Sequence, residues 1–148
     1  YADTMHDSAR ILVRPKPGEL QVYKGAAWTQ PAPDLVLDTL MRAFADSGRL
    51  AGVARRGEGV SAQYELLLDL RRFESDYDGG TTPSARIEIG ARLVHNAVVA
   101  GYVFDVTTPA DGTDVAQISR AFEQSLGDAT GQLIGWTLSE GQRDAARR

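Results

Sequence analysis

A chain of 148 residues is the size of one ordinary domain, and folding at that length removes roughly 70% of the unfolded chain's surface, so a hydrophobic core can hold it without staples. Hydrophobic residues make up 43% and charged residues 24%, as in average globular proteins. A net charge of -4 argues against a general nucleic-acid binder, which carries a basic stripe, and the absence of cysteine removes disulfides, thiolate metal sites and a Cys nucleophile together. No run approaches the ~18 apolar residues of a membrane span. The sequence opens on Tyr1 rather than Met, so we expect a piece trimmed from a longer precursor, and its lack of a targeting segment carries no information.

Residues 1–9 are polar and aperiodic, which reads as a tether or frayed end. "RILVRP" has the β-branched and apolar content of a short strand stopped by Pro15 and Pro17. "ELQVY" is a second, with Leu20 and Val22 alternating against Glu19, Gln21 and Tyr23. A helix is predicted over about 33–47, because Leu37, Leu40, Met41 and Phe44 fall at i, i+3, i+4, i+7. Pro31 and Pro33 are acceptable in or before a first turn, Asp34 and Asp38 suit the positive end of the dipole, and Gly48 stops the helix. "LAGVAR" is a further strand candidate.

Three long alternating segments follow. Tyr64, Leu66, Leu68 and Leu70 share one face against Glu65, Asp69 and Arg71. Ala85, Ile87, Ile89, Ala91 and Leu93 oppose Arg86, Glu88 and Arg92, and Val98, Ala100, Tyr102, Phe104 and Val106 lie together. This period of two belongs to an antiparallel sheet with one dry face. "DYDGGTTPS" is a longer hairpin loop and "HNA" a tight one, while Gly90 and Gly101 are the expected bulge positions. A last helix is predicted over about 114–138, on the stripe Val115, Ile118, Phe122, Leu126, Ala129, Leu133 and Trp136, capped by Thr113 or Asp114. Gly127 and Gly131, four residues apart inside it, have three readings: close backbone packing, a lipid-facing strip, or a merely weak helix. Residues 139–148 read as a polar tail. The fold class is therefore α+β: a single domain over 10–138, with a mixed, mostly antiparallel sheet of about five to six strands and two helices packed on it.

The search for chemistry is empty. His6 and His95 have no acidic neighbours at metal-ligand spacing, no Gly-x-Ser-x-Gly elbow occurs, and "GDATGQL" lacks the Gly-Lys-Ser/Thr ending of a phosphate loop. Glu65 and Asp69 share a strand face but stand about 13 Å apart, too far for an acid–base pair on one bond. No catalytic residue, metal or cofactor is assigned, and the expectation is a chain that is not an enzyme.

The run "LVRPKPGELQVYKGAAWTQPAPDLVLDTLMRAFADSGRL" resembles the ABC-type transport auxiliary lipoproteins, the group that includes the lipoprotein of the paraquat-inducible lipid-transport system. The matching pieces are Tyr23, Trp28, Pro31, Leu37, Leu40 and Gly48, then "RRFE" at Arg71, Arg72, Phe73 and Glu74, then Ala121, Phe122 and the late Trp136. Ala27 departs from the family's basic or aromatic residue before the Trp. The resemblance implies a periplasmic protein anchored to the outer membrane through a lipidated Cys upstream of this sequence. It also implies a non-catalytic role beside an ABC transporter and a mammalian-cell-entry domain protein that move lipids between membranes. It makes Tyr23, Trp28, Pro31 and Phe73 candidate partner-binding residues. Trp28 has two readings: a staple over the first turn of the following helix, with Pro31 fixing the entry angle, or a docking anchor. The alternative function is a small carrier of phospholipid or another ligand, with a cavity between the sheet and the last helix. Homo-oligomers are expected from exposed strand edges; no nucleic acid is expected.

Overall fold

A computed structural model describes residue 2, residues 6–46 and residues 64–147. Seven elements follow in order: β1 (Arg10–Arg14), β2 (Gln21–Ala27), α1 (Ala32–Asp46), β3 (Glu65–Asp76), β4 (Ser84–His95), β5 (Ala97–Pro109) and α2 (Val115–Ala146). The strands form one sheet in the order β2-β1-β3-β4-β5, antiparallel except for the parallel pair β1–β3. Ala2 adds an isolated parallel bridge to Leu70. This is the α+β arrangement that the alternation of Leu, Ile and Val implies. "LAGVAR" lies outside the described residues.

The period-two pattern makes the strands, but bulges decide which side chains face the core. In β3 the pairing slips between Leu70 and Arg72, opposite Ile89 and Glu88. Strict alternation from Leu66, Leu68 and Leu70 would have turned Arg72 inward and Phe73 outward. The extra residue, Arg71, reverses the phase, so Phe73 and Ser75 are buried on the core side. A second slip pairs Leu93 with Ala100 but Val94 with Val98. Val98 is thereby moved off the face it was expected to share with Phe104, and it is 59% exposed. Neither slip is centred on Gly90 or Gly101, the expected bulge positions. Asn96, at φ 67°, closes the tight β4–β5 hairpin, and Asp78 and Gly79, both at positive φ, shape the β3–β4 loop.

The core lies between the sheet and the helices. From the sheet come Leu70, Phe73, Ile87, Ile89, Ala91 and Phe104; from α2 come Ile118, Ala121, Phe122 and Leu133. Helix α1 contributes Ala32, Val36, Leu40 and Phe44 at a spacing of four, whereas Leu37 and Met41 of the expected stripe are only half-buried. Pro31 stands just outside α1 and Pro33 in its first turn, where a missing N–H costs no intrahelical bond. Asp114 is the N-cap of helix α2, and its N–H donates to Gln117 Oε1 (3.3 Å). Val115, expected on the apolar stripe, is 42% exposed. The helix then runs to Ala146, so most of the expected polar tail is helical. Its last turns are tied to the sheet by Tyr64, whose hydroxyl donates to Asp144 Oδ2 at 2.6 Å. A helix of 32 residues is about 48 Å long at 1.5 Å per residue, enough to cross the sheet along β4 and β5.

Candidate functional site

The β2–α1 corner carries the first Trp. Trp28 N–H donates to the Ala9 carbonyl (2.7 Å) and Ala32 N–H to the Ser8 carbonyl (2.9 Å), so residues 8 and 9 lock the corner instead of fraying. The indole packs edge-on against Phe73 (5.4 Å between centroids) and Phe122 (4.9 Å), joining sheet and α2. Trp28 is thus chiefly a core-joining ring rather than a lid on the first helical turn. Its Nε1 is buried and meets no acceptor among the described residues. Tyr23 is half-buried, with its hydroxyl 3.3 Å from that of Tyr77 and 3.5 Å from Ser75 Oγ. Burial, then the hydrogen bond with Tyr23, pushes the Tyr77 hydroxyl up to about 12.

Of the four expected partner-binding residues, Phe73 is 2% exposed and packed among core rings, so it has no surface to offer a partner. Tyr23, Trp28 and Pro31 are half-buried at the same corner. For Gly127 and Gly131 the close-packing reading is corrected. Both are exposed on the side of α2 away from the sheet, and a Cβ on either would meet nothing within 4 Å. They mark open helix surface rather than close packing. The space between α2 and the sheet is filled by Phe122, Leu133, Phe104 and Trp136, the last two meeting edge-on at 5.7 Å. Ser125, fully buried in that layer, donates to the Ala85 carbonyl (2.9 Å) and lies 2.6 Å from Thr108 Oγ1.

The opposite sheet face is polar at one end. Glu74, fully buried, accepts from Arg14 Nε (2.8 Å) and Nη2 (3.1 Å) and from Arg72 Nη1 (3.1 Å), with His6 Nε2 3.4 Å away. Burial alone would push its carboxyl up. The hydrogen bonds with His6 and Arg14, with the charges of Arg14 and Arg72, outweigh burial and hold it at about 2. The cluster ties the N-terminal segment and β1 to β3. Beside it, Arg86 reaches Asp105 with two bonds (3.1 and 2.8 Å), and this holds the Asp105 carboxyl below its ordinary range. In the sequence Glu74 stands out only as the end of "RRFE". The usable signal was the phase conflict at Arg72-Phe73, which forces a bulge and places the Glu outside.

Further along the same face the charges thin out into an open trough of about 510 Å³. Leu67, Gly90, Gly101 and Val103 form its floor, with Asp69, Arg71 and Arg92 around it. Among the described residues no group of three or more His, Asp or Glu gathers as a metal site, and no helix is long and apolar enough to cross a membrane.

Comparison with known proteins agrees with this architecture. The family described as ABC-type transport auxiliary lipoprotein component matches residues 3–133. The chain belongs to that family, which is one of transport components and not a known enzyme family. A lipoprotein family implies an envelope location. In three dimensions the chain is similar to a Xanthomonas campestris protein of family DUF330, with a TM-score of 0.94 and 50% identity over 98% of this chain and 83% of that one. An uncharacterized crystallised protein shares the fold at a TM-score of 0.71 and 11% identity, covering 90% of this chain and 84% of that one. An uncharacterized protein of Bradyrhizobium diazoefficiens is 30% identical over 141 residues, 93% of this chain; the chain spans 37% of that relative's length.

Proposed function

We propose that the chain is a non-catalytic auxiliary subunit of an ABC transport system that moves lipids between envelope membranes. In this reading it sits in the periplasm, held at the outer membrane by a lipidated Cys upstream of Tyr1. It works through contacts with a mammalian-cell-entry domain protein. The observation that carries the reading is the family match over residues 3–133. One sheet face buried under α2 and the other left without a described covering element are the form expected of a subunit that docks rather than encloses. The carrier alternative needs a cavity between sheet and α2, and Phe104, Phe122, Leu133 and Trp136 occupy that space.

Reconstitution tests the reading. The full chain and the mammalian-cell-entry protein of the same transport system are expected to co-elute on size exclusion, and deletion of the chain is expected to change outer-membrane lipid content. No co-elution together with an unchanged lipid profile would sink the idea. Self-association belongs to the same reading, because β2 and β5 are sheet edges and Ala97–Phe104 of β5 carries no charge. Light scattering at high concentration is expected to give more than a monomer mass.

A further inference from the structure

The trough on the outer sheet face combines three features. First, its dent is made by glycines at outward positions of neighbouring strands, Gly90 on β4 and Gly101 on β5. Their missing side chains leave room for arginines to lie flat. A Cβ on Gly90 would come within 3.0–3.1 Å of the Arg71 guanidinium, and one on Gly101 within 3.8 Å of Arg92 Cγ. Second, aliphatic surface is left open around the dent. Val103 is 42% exposed on the floor, and Val98, brought to this face by the β5 slip, is 59% exposed. Third, one charge is left over. Arg71 pairs with Asp69 (3.2 Å) and lies 4.0 Å from Glu88, but Arg92, exposed and paired across the strands with Leu67 and Gly101, makes no ion pair among the described residues. A chain of net charge -4 therefore presents an unpaired guanidinium beside exposed valines on its open sheet face.

We propose that this trough docks an acidic segment of the transport partner. Apolar residues of that segment cover Leu67, Val98 and Val103, and a carboxylate reaches Arg92. The proposal rests on the auxiliary-subunit reading above and adds the surface and the chemistry of the contact. Charge complementarity selects the occupant: an unpaired guanidinium beside exposed valines fits a carboxylate on an amphipathic segment. A lipid fits less well, because an acyl chain needs most of its surface enclosed and this floor is open to solvent. A second copy docked about a two-fold axis through the trough would set Arg71 and Arg92 against their own copies.

Two measurements test it on the full chain. In the first, the probes are an 18-residue Leu/Glu amphipathic peptide and its Leu/Lys counterpart, with hydrogen exchange read along β3, β4 and β5. The acidic peptide is expected to bind at least tenfold more tightly, to protect residues 90–103, and to lose its advantage in Arg92→Glu. Equal binding of both peptides, binding of neither, or protection on α2 instead overturns the proposal. So does binding of phosphatidylglycerol vesicles with no peptide preference. In the second, binding to the mammalian-cell-entry protein is compared for the wild type, Arg92→Glu, Val103→Asp and, on the outer side of α2, Asp128→Lys. The first two are expected to weaken binding at least tenfold and Asp128→Lys to leave it unchanged. Equal binding by all four overturns the trough and leaves the auxiliary reading standing. No binding by the wild type overturns that reading, and the peptide measurement then decides the trough's chemistry alone.

Discussion

The two faces of one sheet are built from the same three strands and end up chemically opposite. The covered face of β3, β4 and β5 presents Phe73, Ile87, Ile89 and Phe104 to α2, all at or below 3% exposure. The outer face presents Glu74 with its two arginines, the Arg86–Asp105 pair and a trough with exposed valines. On the covered face packing density sets stability, because each ring touches several others and leaves a void if removed. On the outer face, water reaches the charges around the trough far more than the cluster about buried Glu74 and His6, so the trough's charges contribute little to stability and are free to serve recognition.

The largest effect expected from breaking this contrast is at Phe73. Phe73→Ala should cost about 3–5 kcal/mol, the range for a fully buried aromatic, read as a shift in urea midpoint. Val103→Ala on the outer face should stay within about 0.5 kcal/mol. Trp28→Ala comes next, at about 3 kcal/mol, since the ring joins Phe73 to Phe122 but is only partly buried. If the variant keeps its stability yet loses its partner, Trp28 is an anchor after all.

Glu74→Gln removes the one outer-face charge with a large structural share. Losing charged hydrogen bonds there should cost about 2 kcal/mol. The pH dependence has a definite sign. The carboxyl titrates at about 2 in the fold, against 4.5 ordinarily, so its contribution is complete above about pH 4.5 and lost as pH falls toward 2. Thermal melts from pH 6 to pH 2 should therefore fall less steeply for Glu74→Gln than for the wild type; parallel curves would exclude Glu74 as a source of acid sensitivity. The smallest effects have the opposite sign. Gly127→Ala and Gly131→Ala place a methyl in open space on an exposed helix face, and each should stabilise by about 0.5–1 kcal/mol. A loss of stability in either would show that the outer side of α2 is packed against something.

Much of the fold was legible because its signals are local. Alternation in Ala85–Leu93 needs only the pleat to become a strand with one dry face. The stripe from Ile118 to Leu133 needs only the turn of a helix. The end of α2 was not legible, because residues 139–146 have little apolar pattern and are held by Tyr64, far away in sequence. Phe73 illustrates the harder failure. Its place in "RRFE" makes it look available to a partner, and only the extra residue in the β3–β4 pairing turns it into the core. The glycines of α2 show the reverse: spacing hints at contact, and the helix's rotation on the sheet turns them to open surface.

The sequence by itself determined that this chain folds as one α+β layer pair and, through its motifs, which family it belongs to, since periodicity and motif order survive without coordinates. Tertiary structure decided which residues are surface. Bulges change strand phase by one residue, and a one-residue change exchanges the two faces. That exchange buries Phe73, encloses Glu74 among two arginines and a histidine, and carries Val98 to the face where the trough opens.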